Sequence, residues 1–494
     1  MWIKQKNDNN MNNRHNTMKR LALTVAALAL PLLAFAQNIE FQTEALGKMI
    51  AKTNEPRFIG YADNSVVMVD YQSRKAIVTR YDMSQNVLAS AELGSKKEID
   101  NYGGFINGDH VDLLNVRNSN GGMHVYRDRR SLRTLEPEGT PLTLAEYKGN
   151  SDDKYIFTLG TSPDQNLLAG VTVVARKSFD PEVKVALYNR ELEEYWHMPV
   201  RTSGFNQVLV NDSGEVVLAL CTTSTKKYNT FTIVDGENEK QVSFKLKDDG
   251  RPMECTLLRY GNGKLILAVA VREENHTIMP IGSNIDRMDF YCYNVKNDEI
   301  TISSHNFTDQ ECNRMANIKE QKSQKHHWVQ FGNIVQGIAD DNGAYLMFDQ
   351  TWTVTKNDIP VEQHRLGMMV LRVDSEGRVQ WVRAIRMGAI SSWGGRGMIA
   401  YRWRRTPNGI VLAAAQHIKN FDLTDDQNIR PVKAMKDKSM LNVITIDRTG
   451  RTKRQNFEIG KQSVMGAPHT IDDNSFMLLL AGGGKGQFAR LSIK

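Results

Sequence analysis

The chain has 494 residues, 24% of them charged and 40% hydrophobic, with a formal net charge of +7. A chain this long can bury a core of its own, and a charge this small does not form the basic footprint of a nucleic-acid binder. Four cysteines, Cys221, Cys255, Cys292 and Cys312, with no CxxC spacing, make a redox or zinc motif of that kind absent.

Residues 18–36, MKRLALTVAALALPLLAFA, combine Lys19 and Arg20, an apolar run from Leu21 to Phe35 and small residues at Ala34 and Ala36. This pattern predicts a secretory signal peptide cleaved before Gln37, and the polar stretch before it leaves Met1, Met11 and Met18 all open as the start. The run is short for a bilayer span, and no later segment reaches 18 uninterrupted apolar residues, so no transmembrane anchor is expected after cleavage. The leader (1–36) holds five Lys or Arg and one acid, leaving 58 basic against 55 acidic residues in the exported chain. Periplasmic, outer-surface and secreted locations all fit. In such a compartment the cysteines could form two disulfides, although Cys221 in VVLALC and Cys292 in DFYCYN also read as small buried strand residues.

Beyond the leader, NIEFQTEAL (38–46) reads as a lone strand, and then one phrase recurs. A turn dipeptide followed by a short apolar run appears as ADNSVVMVDY (62–71), INGDHVDLLNV (106–116), SPDQNLLAGVTVV (162–174), NDSGEVVLAL (211–220), GNGKLILAVAV (261–271), DDNGAYLMFD (340–349), TPNGIVLAAAQ (406–416) and DDNSFMLLLAG (472–482). Most are followed by a second hairpin, such as IVTRYDMSQNVLASAEL (77–93), VALYNRELEEYWHMPV (185–200), VLRVDSEGRVQWVRAI (370–385) and NVITIDRTGRTKRQNF (442–457). Asn, Asp and Gly supply the turns, and β-branched and aromatic residues supply the strands. Two hairpins per unit, repeated about eight times, predict an all-β chain: a single β-propeller over 37–494. Its units lie near 58–95, 101–139, 155–200, 205–246, 254–307, 333–385, 397–457 and 467–494. Units two and three are the least regular, which leaves seven blades as the alternative to eight; a pair of β-sandwiches is the other architecture. The last unit is one strand short, and 38–46 is the strand that would complete it and close the ring.

The phrase VDSEGRVQWVRAI resembles the blade hairpin of secreted bacterial β-propellers of the PQQ-like or WD40-like kind, in which an acidic residue, a turn glycine and a tryptophan recur. The resemblance implies the fold. Its enzymatic branch would imply a quinone over a vicinal disulfide with calcium, but no two cysteines are adjacent and most units have no tryptophan aligned with Trp381, so that activity is not carried over.

If strands are lettered A to D from the axis outward, the long connections are the B–C segments 272–289, 350–367 and 416–440 and the blade-to-blade segments 308–330 and 386–398. All five are expected on one face over units five to seven, where long loops on a rigid scaffold commonly carry function. Candidate ligand-binding residues there are Trp328, Trp352, Trp393, Arg396, His326 and His327, because aromatic faces beside arginines suit sugars or a protein hot spot. In SSWGGRGMIAYRWRR (391–405) only the first half belongs to this rim; Tyr401 and Trp403 are expected on one side of an innermost strand and Arg402 and Arg404 on the other. The carboxylates Asp422, Asp425, Asp426, Glu273, Glu274, Asp286, Asp289 and Glu362 also fall on this sector but match no complete calcium loop. No GxSxG, HExxH or P-loop occurs, so no cofactor, no metal site and no catalytic residue is predicted. The expected function is an exported binding or scaffold protein for a polysaccharide or protein partner. The alternative is a carbohydrate-active enzyme, a glycoside hydrolase or polysaccharide lyase, working on the same face near the central channel.

Overall fold

The computed structural model describes residues 39–494 except 44–46, 49–56, 73–74, 96–98, 120–121, 150–153, 163–165, 176–180, 203–204, 206, 211–212, 221–228, 247–252, 262–263, 273–284, 295–296, 298, 309, 312–331, 341, 357–358, 393–400, 424–428, 434–435, 473 and 483–484. These residues form eight antiparallel blades in chain order, the first seven at 57–95, 99–148, 154–200, 207–246, 253–306, 332–392 and 401–460. The eighth holds only three C-terminal strands, Ser463–Asp472, Ser475–Gly482 and Lys485–Ile493. Its fourth is Ile39–Thr43, which pairs antiparallel with the last strand from Ile39↔Ile493 to Thr43↔Ala489. The architecture is therefore an eight-bladed propeller closed by its N-terminal strand, which excludes both the seven-bladed and the sandwich arrangements.

The apolar runs form strands buried on both faces. In strand B of blade 5, Lys264–Arg272, the residues Leu265, Leu267, Val269 and Val271 pack towards blade 4, while Ile266, Ala268 and Ala270 pack towards blade 6. The same two-sided alternation produces eight apolar layers, one between each neighbouring pair of blades. The layer of Val66, Met68 and Tyr81 against Met477, Leu479 and Phe488 joins blade 8 back to blade 1. Each fully buried Leu, Ile, Val or Phe contributes about 1.5–3 kcal/mol relative to exposure.

The C–D turns carry a local code. Asp82, Asn189, Asp374 and Asp447 each accept a hydrogen bond from a backbone N–H farther along the turn, at 2.8–2.9 Å. The fourth position is left-handed, at Gln85 (φ 68°), Leu192 (57°), Gly377 (76°) and Gly450 (80°). Seven residues after Asp374 comes Trp381, and seven after Asn189 comes Trp196. Both rings lie against a glycine in the next blade's C–D turn, Trp381 against Gly450 and Trp196 against Gly236, where a Cβ would collide with the indole. Trp381 also donates through Nε1 to the Arg448 carbonyl at 3.0 Å. The tryptophan of the resembling hairpin thus docks one blade's outer edge onto its neighbour's turn.

Two sequence expectations change, and one open reading is decided. The segment 350–367 is not a loop: strands B and C of blade 6 run through it as Gly343–Lys356 and Ile359–Asp374, and strand D continues to Ser392. Thr and Val in QTWTVTK have the branched side chains that suit this extension. The outer strand of blade 2, Leu142–Lys148, lies beyond the 101–139 unit, because the chain first makes a wide turn in which Leu135 is left-handed. Cys292 is a free, buried thiol, so the four cysteines do not form two disulfides; burial pushes its pKa up. Cys221 and Cys312 and the leader 1–36 with its signal peptide (18–36) lie outside the described residues.

Candidate functional site

Blade 6 is the elaborated blade. Its strands B, C and D have 14, 16 and 14 residues, against 9 in its strand A, Gly332–Asp340. At about 3.3 Å per residue the extra five or more residues carry a three-stranded ledge well past the end of the axial strand. Pairing continues along it, through Thr351↔Arg365 to Lys356↔Ile359 and through Glu362↔Ser392.

The B–C connection of blade 7 folds onto this ledge. It leaves strand B (Gly409–His417), makes a 3-10 turn at Ile418–Asn420, and pairs Val432–Lys433 in parallel with Ala389 and Ile390 of blade 6 before entering strand C (Ser439–Asp447). Val432 and Ala389 are buried against each other. Asn420 clamps the connection from inside, accepting from Arg430 N at 2.9 Å and donating to Arg430 O at 2.8 Å. Gly388 lets the connection approach, since a Cβ there would lie 3.0 Å from Pro431 Cα. Burial and the charge of Arg430 hold the His417 pKa below its ordinary value, which keeps the imidazole neutral so that Nδ1 accepts from Lys419 N at 3.0 Å.

Beneath the connection lies a small cavity of about 20 Å³. Blade 7 supplies Gln416, Asn442, Arg454 and Asn456, the connection supplies Asn420, Leu423 and Ile429, and blade 6 supplies Arg386. The register explains the blade 7 set: Ala414 is opposite Asn442, Asn442 opposite Asn456, and Ile444 opposite Arg454, so these residues and Gln416 share one face. Farther down, that face is apolar and packs on blade 6 through Leu412, Ala414, Ile444 and Ile446. The inter-blade layer therefore turns polar at its upper end. Asn442 donates to Asn456 Oδ1 at 2.6 Å, and Asn456 donates to the Phe421 carbonyl at 2.9 Å. The Phe421 ring itself stands 45% exposed beside the cavity.

Of the candidate residues, Trp352 lies on the blade 6 ledge, opposite His364 in register. Trp328, Trp393, Arg396, His326 and His327 lie outside the described residues, as do Asp425, Asp426, Glu273 and Glu274. Asp289 is buried and bonded to Arg287 Nε (3.0 Å) and Ser304 Oγ (2.7 Å), which makes it a structural ion pair. Glu362 is exposed and bonds His364 at 3.0 Å, and Asp422 is exposed. Among the described residues no three His, Cys, Asp or Glu side chains are grouped as metal ligands. Trp403, in the strand Tyr401–Thr406, is buried in the layer between blades 6 and 7, so it packs rather than forming rim. Gln416 and Asn442 were not singled out from the sequence, yet both interrupt core-facing apolar alternation, in VLAAAQ and in NVITI, and that interruption is a readable signal.

A second electrostatic feature lies on the innermost strands. His469, in the strand Ser463–Asp472, is pushed down to about 4 by burial, with Arg404 and Arg190 adding repulsion. Arg404, in the strand Tyr401–Thr406, is pushed down to about 10 by burial.

No protein-family model and no curated protein matches the chain. Among solved structures it is similar to the Dos1 propeller at 10% identity, covering 92% of this chain and 95% of that one, with a TM-score of 0.43. It is also similar to the β-propeller domain of Nup133 from Vanderwaltozyma polyspora (7% identity, 86% and 99% covered, TM-score 0.39). The WD40 domain of SCAP from fission yeast is a third (9% identity, 92% and 94% covered, TM-score 0.35).

Proposed function

We propose that this chain is an exported, non-catalytic propeller that binds a polysaccharide on the ledge of blades 6 and 7. The observation that carries the reading is the three-stranded extension of blade 6 with the blade 7 connection strapped across it, over an amide-rich cavity and beside the exposed Phe421 ring. Asn and Gln side chains offer both donors and acceptors to sugar hydroxyls, and an exposed aromatic face suits the apolar face of a pyranose. Trp352, Trp393 and the neighbouring Arg396 belong to the same sector in sequence. Export rests on residues 18–36.

The test is a glycan array and a parallel pull-down with the chain from Gln37 onward. Binding to one class of glycan is expected, weakened about tenfold, or about 1.4 kcal/mol, in Phe421→Ala and in Trp393→Ala. Undiminished binding in both variants would overturn the location. Capture of a protein with no glycan bound would overturn the carbohydrate assignment, and turnover of the bound glycan would overturn the non-catalytic one.

A further inference from the structure

The outer strand of a blade presents a row of bare N–H and C=O groups, and such an edge recruits another strand unless charge, proline, a bulge, a cover or shortness prevents it. Most of the outer strands described are protected in one of these ways. Leu142–Lys148 carries Glu146 and Lys148, Glu194–Val200 carries Pro199, Lys240–Leu246 carries a lysine at each end region, and Thr452–Gly460 carries Lys453 and Arg454. The outer strand of blade 6 is partly covered by Val432–Lys433, and Ile39–Thr43 of blade 8 has only five residues. Val87–Ser95 of blade 1 lacks Lys, Arg and Pro, but two register shifts break its pairing.

Strand D of blade 5, Glu299–Asn306 (EITISSHN), has no such device along its length. It pairs with Ile285–Asn294 from Arg287↔Asn306 to Asn294↔Glu299 without a register shift, and no described strand pairs with its other edge. It holds no Lys, Arg or Pro, and its one acid, Glu299, stands at the end. Ile300 and Ile302 are 39% and 59% exposed, opposite Tyr293 and Tyr291 and so on the side of the sheet that packs towards blade 4. The apolar layer between blades 4 and 5 therefore runs out into solvent at this edge. The strand itself is anchored, since Ser303 Oγ donates to Gly377 O of blade 6 at 2.6 Å and Ser304 Oγ to Asp289 at 2.7 Å.

We infer that two copies of this chain pair through Glu299–Asn306, antiparallel and about a two-fold axis at Ile302. The sequence of the strand is what selects a second copy as the occupant. Centred on Ile302, the seven residues from Glu299 to His305 all find a partner within the strand. Ile302 stands opposite the partner's Ile302, with the two copies of Ile300 on the diagonals, so four isoleucines close into one patch that a single copy leaves in water. Thr301 meets the partner's Ser303, a pairing of hydroxyls that suits adjacent strands. No like charges face each other: Glu299 meets the partner's His305, the residue that lies 3.4 Å from Glu311 within its own chain. A two-fold contact of this kind is complete with two copies, so the edge is consumed rather than passed on to a fibre.

The experiment is sedimentation equilibrium on the chain from Gln37 onward. A reversible doubling of mass with concentration is expected, because one strand pair is a small interface. Ile302→Lys sets two ammonium groups face to face on the axis and should raise the dissociation constant about tenfold or more. Val87→Lys, the same kind of change on the blade 1 edge, should leave it unaltered, and circular dichroism checks both folds. In Ile302→Cys a short bis-maleimide should join the two copies. In Ile300→Cys it should not, because the two copies of that position stand four residues, about 13 Å, apart along the strands. The parent chain, whose Cys292 is buried, is the blank for the reagent. A parent chain that stays monomeric up to its solubility limit would overturn the inference and leave the edge to a different partner. A dimer that Ile302→Lys does not weaken, or one joined through Ile300→Cys and not through Ile302→Cys, would overturn it as well.

Discussion

At the scale of single residues, the buried charges set the pH response. Asp340 is bonded by Arg372 in two places (2.5 and 3.2 Å), with Arg448 3.8 Å away. Burial alone would raise its pKa, but the hydrogen bonds from Arg372 and Asn342 N and the two positive charges outweigh burial and hold it below the ordinary carboxylate value. A carboxyl depressed in this way stabilises the fold above its unfolded pKa and loses that contribution as pH falls below about 4. Asp340→Asn leaves Arg372 buried beside Tyr345 with no counter-charge from this position and should cost about 3–5 kcal/mol, measured by urea unfolding at neutral pH. His469 works in the other range. Folded, it takes a proton only near pH 4, whereas the unfolded chain takes one near 6.5, so stability is complete above 6.5 and declines as pH falls from 6.5 to 4. His469→Gln should flatten that decline in a series of melting temperatures; an unchanged slope would mean that His469 is not the group responsible.

At the scale of elements, the contact that shapes the site is the parallel pairing of Val432–Lys433 with blade 6 over Gly388. Gly388→Val places branched methyls where even a Cβ sits 3.0 Å from Pro431, so the connection should lift while the blades stay folded. Hydrogen exchange should show lost protection at Val432 and Lys433, with the core strand Gly409–His417 still protected. Elements were unevenly legible in the sequence. Strands B and C announce themselves because they are buried on both faces, giving the unbroken apolar runs of KLILAVAV and GIVLAAA, and the C–D turns announce themselves through Asp or Asn followed by a left-handed residue. The ledge was concealed because QTWTVTK and PVEQHRLG are rich in polar residues, and polar residues around a strand extension look like a loop. Gln416 and Asn442 show the opposite effect: each is a polar residue in an apolar strand, and only the register reveals that the two share one face of blade 7.

At the scale of the whole molecule, closure is the remaining dependence, and the missing fourth strand of the last unit made it visible in the sequence. Eight blades are joined by eight apolar layers, but only blade 8 is assembled from the two ends of the chain. Ile39 is buried among Val411, Leu441, Leu491 and Ile493, and the Phe41 ring lies 4.9 Å from Phe457, so the closing strand also covers the layer between blades 7 and 8. Lys494 and Glu40 pair at its rim, where exposure makes the pair worth little. Removing residues 37–46 should therefore cost the burial of Ile39 and part of that of Phe41, about 3 kcal/mol or more. It also leaves Ala489–Ile493 as a bare edge bearing Leu491 and Ile493, with only Gly47–Lys48 still paired to Lys485 and Gly486, and a bare edge of this kind recruits another chain. The truncated protein should melt at a lower temperature and associate with increasing concentration in light scattering, and a synthetic peptide spanning 37–46 should reverse both effects by restoring the fourth strand. A truncated protein that associates no more than the full chain, with an unchanged melting point, would mean that the ring is held by its eight layers alone and that the paired termini contribute nothing to closure.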